Sequence, residues 1–199
     1  MLSQPPPRFT RQRGVSLIEV LVTLLILAFG LLGVAGLQAK MSLAEMESYQ
    51  RSQALMALTQ MTELMSANAA QVTNYVIAGT LGTGTPAANC NPVLPTPPLS
   101  GPARDLCQWN ISLQGASEQN SGAKVGGMVG AVGCITQLTA SNPALGVCTA
   151  GVYRVSVAWQ GMNPTTQPAL ACGLGSFGAD ERYRRVIAAT VTVGTTSCF

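Results

Sequence analysis

The stretch RQRGVSLIEVLVTLLILAFGLLGVAGLQ, Arg11 to Gln38, governs the reading of the whole chain. A basic flank precedes a run of 23 residues, Val15 to Leu37, in which Glu19 is the only charged side chain. As an α-helix rising about 1.5 Å per residue, the run is about 35 Å long. That is enough to cross a hydrocarbon core of about 30 Å. A carboxylate deep in such a helix costs on the order of 2.5–3.5 kcal/mol. Two readings of Glu19 remain open. Either it lies near the helix end and reaches the interface, or a cationic partner meets it within the apolar layer.

Working outward, the segment fits two ordinary explanations poorly. A secretory signal peptide has an apolar region of about 7–15 residues and a small-residue cleavage site; this run is longer, and GVAGLQAK offers no clean A-x-A site. A plain membrane anchor explains the length but not the Gly14–Glu19 spacing. Arg8, Arg11 and Arg13 precede the run, so the N-terminus is expected to stay on the cytoplasmic side.

The residues RG|VSLIEVLVTLLIL resemble the prepilin signature of type IV pilins and type II secretion pseudopilins: a short basic leader ending in Gly, then an apolar helix with Glu at its fifth mature position. The resemblance implies that a prepilin peptidase cuts between Gly14 and Val15 and methylates the new amine of Val15. Val15 departs from the Phe with which the family most often begins. It further implies that Glu19 serves assembly, its carboxylate meeting the Val15 amine of a neighbouring subunit. A buried pair of that kind has little net worth, yet leaving either charge alone is costly, so it acts as a rule of register. Removing residues 1–14 takes away three Arg and no acid, which leaves eight cations against eight acids. The basic character of the chain thus lies in the leader, and nucleic acid is not an expected partner.

Beyond Leu37 the helical pattern continues to about Ala67, on the order of 80 Å in all. Met41, Ala44, Tyr49, Leu55, Leu58, Met61 and Met65 are the expected buried stripe of this amphipathic half. Its five Met are read as adaptable core filler. Gly30, Gly33 and Gly36 interrupt the apolar half, either for close helix packing or for local melting on assembly. Residues 68 to about 104 are loop-rich. CQWNISL, VYRVSVAWQ and YRRVIAATVTV alternate as strands, with GGMVGAVGCITQL as a further candidate. In phase are Trp109, Ile111 and Leu113; Tyr153, Val155, Val157 and Trp159; and Ile187, Ala189, Val191 and Val193. The expected fold is α+β and type IV pilin-like, a long N-terminal helix with a protruding apolar half, packed on an antiparallel sheet of about four strands. Its parts are a leader (1–14), a membrane or filament-core half-helix (15–37), an amphipathic half-helix (38–67) and a head (68–199).

Cys90, Cys107, Cys134, Cys148, Cys172 and Cys198 all fall in the head. An even number in a part expected outside the cytoplasm points to disulfides. Loop lengths favour Cys90–Cys107, Cys134–Cys148 and Cys172–Cys198. A zinc site is the rival, but the chain has no His and no C-x-x-C. Without His, a nucleophile motif or a phosphate-binding lysine loop, catalysis, metals and cofactors are not expected. Asp180 and Glu181 are read as a solvated turn, RYRR (Arg182 to Arg185) as a solvated strand edge, and the sequon at Asn110 as a chance match.

GVSLIEVLVTLLILAFGLLGVAGLQ, QALMALTQMTELMSAN, DLCQWNISL and VYRVSVAWQG also resemble PilV-like minor pilins, the type IV pilus modification proteins. That likeness covers the helix strongly and the head in patches. It implies a non-enzymatic pilus subunit that starts assembly and supports adhesion and twitching motility. Its implied partners are the prepilin peptidase, other minor and major pilins, the inner-membrane assembly machinery and membrane lipid. Its implied location is the inner membrane as a single-pass protein with a periplasmic head, then the pilus at the cell surface. A type II secretion pseudopilin is the alternative, and a membrane-anchored binding domain a more distant one. Non-reduced intact mass is expected to show a chain beginning at methylated Val15 and lacking six thiol hydrogens. A chain that keeps residues 1–14 in peptidase-positive and peptidase-deficient strains alike would remove the processing reading.

Overall fold

The computed structural model describes residues 14–86, 90, 99–115, 119–120, 123–124, 128–142, 144 and 147–194. The leader up to Arg13 and the cysteine at Cys198 lie outside the described residues. The chain divides after Ala44 into two units.

Helix α1, Leu17–Ala67, is as long as its sequence requires. In the second unit its buried stripe is Gln50, Ala54, Ala57, Leu58, Met61 and Met65, which keeps the three- and four-residue spacing of a single helix face. Leu58, Met61 and Met65 are thus where the sequence puts them. Met41, Ala44, Tyr49 and Leu55 are exposed, against expectation. The stripe runs through small residues because a neighbouring element comes close: the indole Nε1 of Trp109 donates to the Ala57 carbonyl at 3.0 Å. A large side chain at position 57 would stand in that path.

At its C-terminus α1 gives way to a 3-10 stretch, Ala69–Tyr75, with non-helical backbone at Gln71. Three polar side chains tie the junction. The Tyr75 hydroxyl donates to Asp105, while Asn68 Nδ2 donates to the Tyr75 hydroxyl at 2.7 Å and to Asp105 at 3.1 Å. Burial, reinforced by the Asp105 acceptor, pushes the Tyr75 phenol above its ordinary pKa and keeps it a donor.

Helix α2, Gly101–Leu113, corrects the strand expected at CQWNISL. Only Trp109 and Leu113 of the alternating residues belong to the helical pattern: Pro102, Leu106, Trp109 and Leu113 recur at three- and four-residue steps, and Trp109 and Leu113 are buried, whereas Ile111 is partly exposed. Ser100 stands at the N-cap position and Pro sits in the first turn, where its missing N–H costs nothing. Asn110, expected on a strand, is a buried helical residue. Its Oδ1 accepts from Gly82 N at 2.6 Å and its Nδ2 donates to Pro86 O at 3.3 Å, so the sequon is spent on fixing the loop before α2.

The sheet has the order β1-β4-β5-β6 and is antiparallel throughout. Its strands are β1 (Leu81–Gly82), β4 (Val132–Thr139), β5 (Gly151–Gln160) and β6 (Arg184–Val193). A separate two-residue pairing joins β2 (Gln119–Asn120) to β3 (Ala123–Lys124). Tyr153, Val155, Val157 and Trp159 of β5 share one core with Val191 and Val193 of β6, Ile135 of β4, Trp109 of α2 and the α1 stripe. Ile187 and Ala189 pack against it. The opposite face, which alternation alone would leave wet, is covered in part: Val132, Cys134 and Ala158 are buried with Cys172 and Phe177.

Gly133 marks the closest approach in the core. A Cβ there would lie 2.2 Å from Trp109 Cη2 and 2.8 Å from Leu113 Cδ1. Gly133→Ala is expected to destabilise the head by about 1–3 kcal/mol through overpacking, read as a lower melting temperature in near-UV circular dichroism. Gly194→Ala, with nothing within 4 Å, is the control expected to leave it unchanged. Equal melting of the two variants would show that Trp109 is not held against β4.

Candidate processing and assembly site

Gly14, Val15 and Ser16 precede α1 as exposed, non-helical residues. The carbonyl of Ser16 accepts from Glu19 N at 3.0 Å and Val20 N at 3.2 Å, which opens the helix. Glu19 is therefore in the first helical turn, where the exposed backbone N–H groups favour a negative charge. That placement relieves part of the cost of the carboxylate. Thr23 relieves its own hydroxyl by donating to Val20 O at 2.8 Å.

Among the described residues, nothing covers the rest of the apolar half. None of the most apolar window of α1 is buried; Leu17 is 91% exposed and Phe29 72%. A continuous surface of that kind requires lipid or protein around it. A Cβ added at Gly30, Gly33 or Gly36 would meet nothing within 4 Å, so no contact within the chain requires these glycines. The helix is continuous through all three.

Residues 9–35 match the prokaryotic N-terminal methylation motif. The matched segment spans the Gly14–Val15 bond, Glu19 and most of the apolar half-helix. The chain carries a pilin-type N-terminus. With an α-helix packed on a four-stranded antiparallel sheet, this supports a type IV pilin or pseudopilin, processed by a prepilin peptidase and assembling with other pilins. The apolar helix fits membrane anchoring before assembly. No curated protein and no solved structure matches the chain significantly.

In the head, the cysteines answer the sequence in part. Cys90 is bonded to Cys107, as loop length favours, with Cα atoms 5.6 Å apart. Cys134 is bonded to Cys172 with Cα atoms 5.8 Å apart, which overturns both Cys134–Cys148 and Cys172–Cys198. Shortest-loop reasoning fails there because Cys134 faces away from the helix, toward the segment that covers the outer face of the sheet. Cys148 is disulfide-bonded as well. In the chain-entropy model, loops of 17 and 38 residues stabilise by about 3 and 4 kcal/mol. Among the described residues, no cluster of His, Cys, Asp and Glu could hold a metal ion.

The RYRR segment is not the solvated edge it resembles. Arg184 is 1% exposed: it donates from Nη1 to the carbonyls of Leu170 and Cys172, from Nη2 to that of Pro168, and pairs with Glu181. Arg185 binds Glu47 of α1 at 2.6 Å. Alternation holds the signal that was passed over, since it places Arg185 in phase with Ile187 and Ala189, on the helix side, where a cation needs an acid. Asp180 does lie in a turn. The Arg182 guanidinium holds its carboxyl below the ordinary range, and the hydrogen bond from Arg184 does the same for Glu181. Non-reducing peptide mapping is expected to recover Cys90–Cys107 and Cys134–Cys172. A Cys134–Cys148 peptide would refute this arrangement of the head.

Proposed function

We propose that this protein is a structural minor pilin, not an enzyme, that enters a type IV pilus after cleavage between Gly14 and Val15. It acts with other minor and major pilins at the start of assembly and so supports adhesion and twitching motility. The observation that carries the reading is a first-turn carboxylate on a half-helix that no described residue covers. Such a half-helix is completed by a bundle of like helices, and the Val15 amine of a neighbour is the cation that Glu19 lacks. The passages similar to PilV-like minor pilins, and a head with six cysteines, favour a pilus over a type II secretion pseudopilus.

Glu19→Gln keeps size and polarity but removes the charge. It is expected to leave the chain in the membrane, cut after Gly14, and to lower its amount in sheared pili by at least about tenfold, the scale of a lost buried charge partner. Quantitative mass spectrometry of sheared pili and membranes reads both. Undiminished incorporation would end the docking role of Glu19. Recovery of wild-type chain with secretion pseudopili and never with pili would establish the pseudopilin instead.

A further inference from the structure

The sheet face turned away from α1 carries a feature that includes none of the processing and assembly residues Gly14, Val15 and Glu19. A cavity of about 460 Å³ opens there, within the range of small-molecule sites. Alternation along β5 puts Arg154 and Ser156 in its floor, with Arg154 opposite Thr136 and Ser156 opposite Cys134 on β4. Its wall is the segment around residues 170–176, held by the Cys134–Cys172 bond and by the Arg184 hydrogen bonds to Leu170 and Cys172. Both restraints fix the wall before any ligand arrives, which lowers the ordering cost of binding.

The polar groups of this cavity are unspent. The Arg154 guanidinium and the hydroxyls of Thr80, Thr136, Ser156 and Ser176 make no hydrogen bond or ion pair among the described residues. Ser156 is a buried residue whose hydroxyl lines the cavity and has no protein partner among the described residues. Arg182, Arg184 and Arg185 each have a carboxylate, whereas among the described residues no acid lines this cavity. The site therefore presents one fixed positive charge, several hydroxyls and an aliphatic border of Ile77, Leu170 and Leu174.

We propose that this cavity binds a carboxylate attached to a short aliphatic group. One guanidinium matches the charge and forked geometry of a carboxylate; a phosphate dianion would keep an unbalanced charge. Stacking of a sugar ring would need an aromatic platform, and none of the lining residues is aromatic. A peptide C-terminal residue and a free branched acid share the required chemistry. The inference is independent of how the chain is processed or assembled.

The test uses the full chain in detergent, titrated with Gly-Gly-Leu free acid, the same peptide as its C-terminal amide, and isovalerate, with calorimetry and the Arg154 side-chain NMR resonance as readouts. Saturable binding of the free-acid peptide is expected, weakened at least about tenfold by amidation and by Arg154→Gln, the usual loss for a charged hydrogen bond. Isovalerate binding as well as the peptide would name a free acid as the source, and much weaker binding would name a peptide C-terminus; either supports the carboxylate site. If Arg154→Gln does not fold, Ser156→Ala and the wild-type Arg154 resonance decide. A resonance that moves with the free acid and not with the amide supports the site. No saturable binding of either carboxylate, equal binding of the amide, or unchanged affinity in Arg154→Gln overturns it.

Discussion

From Val20 through Leu37, α1 carries no charged side chain, and among the described residues nothing covers its apolar surface. This is a constraint because the hydrophobic effect favours removing apolar area from water. An apolar surface of this kind calls for lipid or neighbouring helices around it. The head must consequently be stable on the second half of α1 alone. It takes a six-residue stripe from that half, closes it with the sheet and α2, and adds disulfides where loops leave the core thin.

Charge on α1 follows the same division. Glu47 lies in the second unit and finds its cation within the chain, at Arg185 on the inner face of β6. Glu19 lies in the apolar half, where the helix N-terminus offers partial relief but, among the described residues, no side-chain cation pairs with it. One acid has become an internal fastening, and the other is free to serve as an intermolecular one. The difference comes from what surrounds each residue, since both are exposed-type side chains on the same helix.

The long helix and the strands β5 and β6 were legible because periodicity is local. Tyr153 to Trp159 and Ile187 to Val193 face the core as their alternation requires. CQWNISL alternates like a strand, but Trp109 and Leu113, four residues apart, also fit a helix, and Pro102 with Leu106, which break the tie, lie upstream of the alternating set. The stripe on α1 was misjudged by size. Large apolar Leu55 is exposed while Ala57 is buried, because the closeness of Trp109, not hydrophobicity, selects the residue there.

By itself, then, the sequence determined the methylation motif over residues 9–35, the position of the carboxylate within it, the apolar half-helix and the α+β class, since each rests on neighbouring residues or on a fixed repeat. Tertiary structure decided what depends on distant partners: that Cys134 bonds Cys172, that Arg184 is buried among loop carbonyls, that Asn110 is a buried helical residue, and that unpaired hydroxyls gather around Arg154. A chain encodes its periods locally. Which side chains meet across a sheet is known once the sheet has formed.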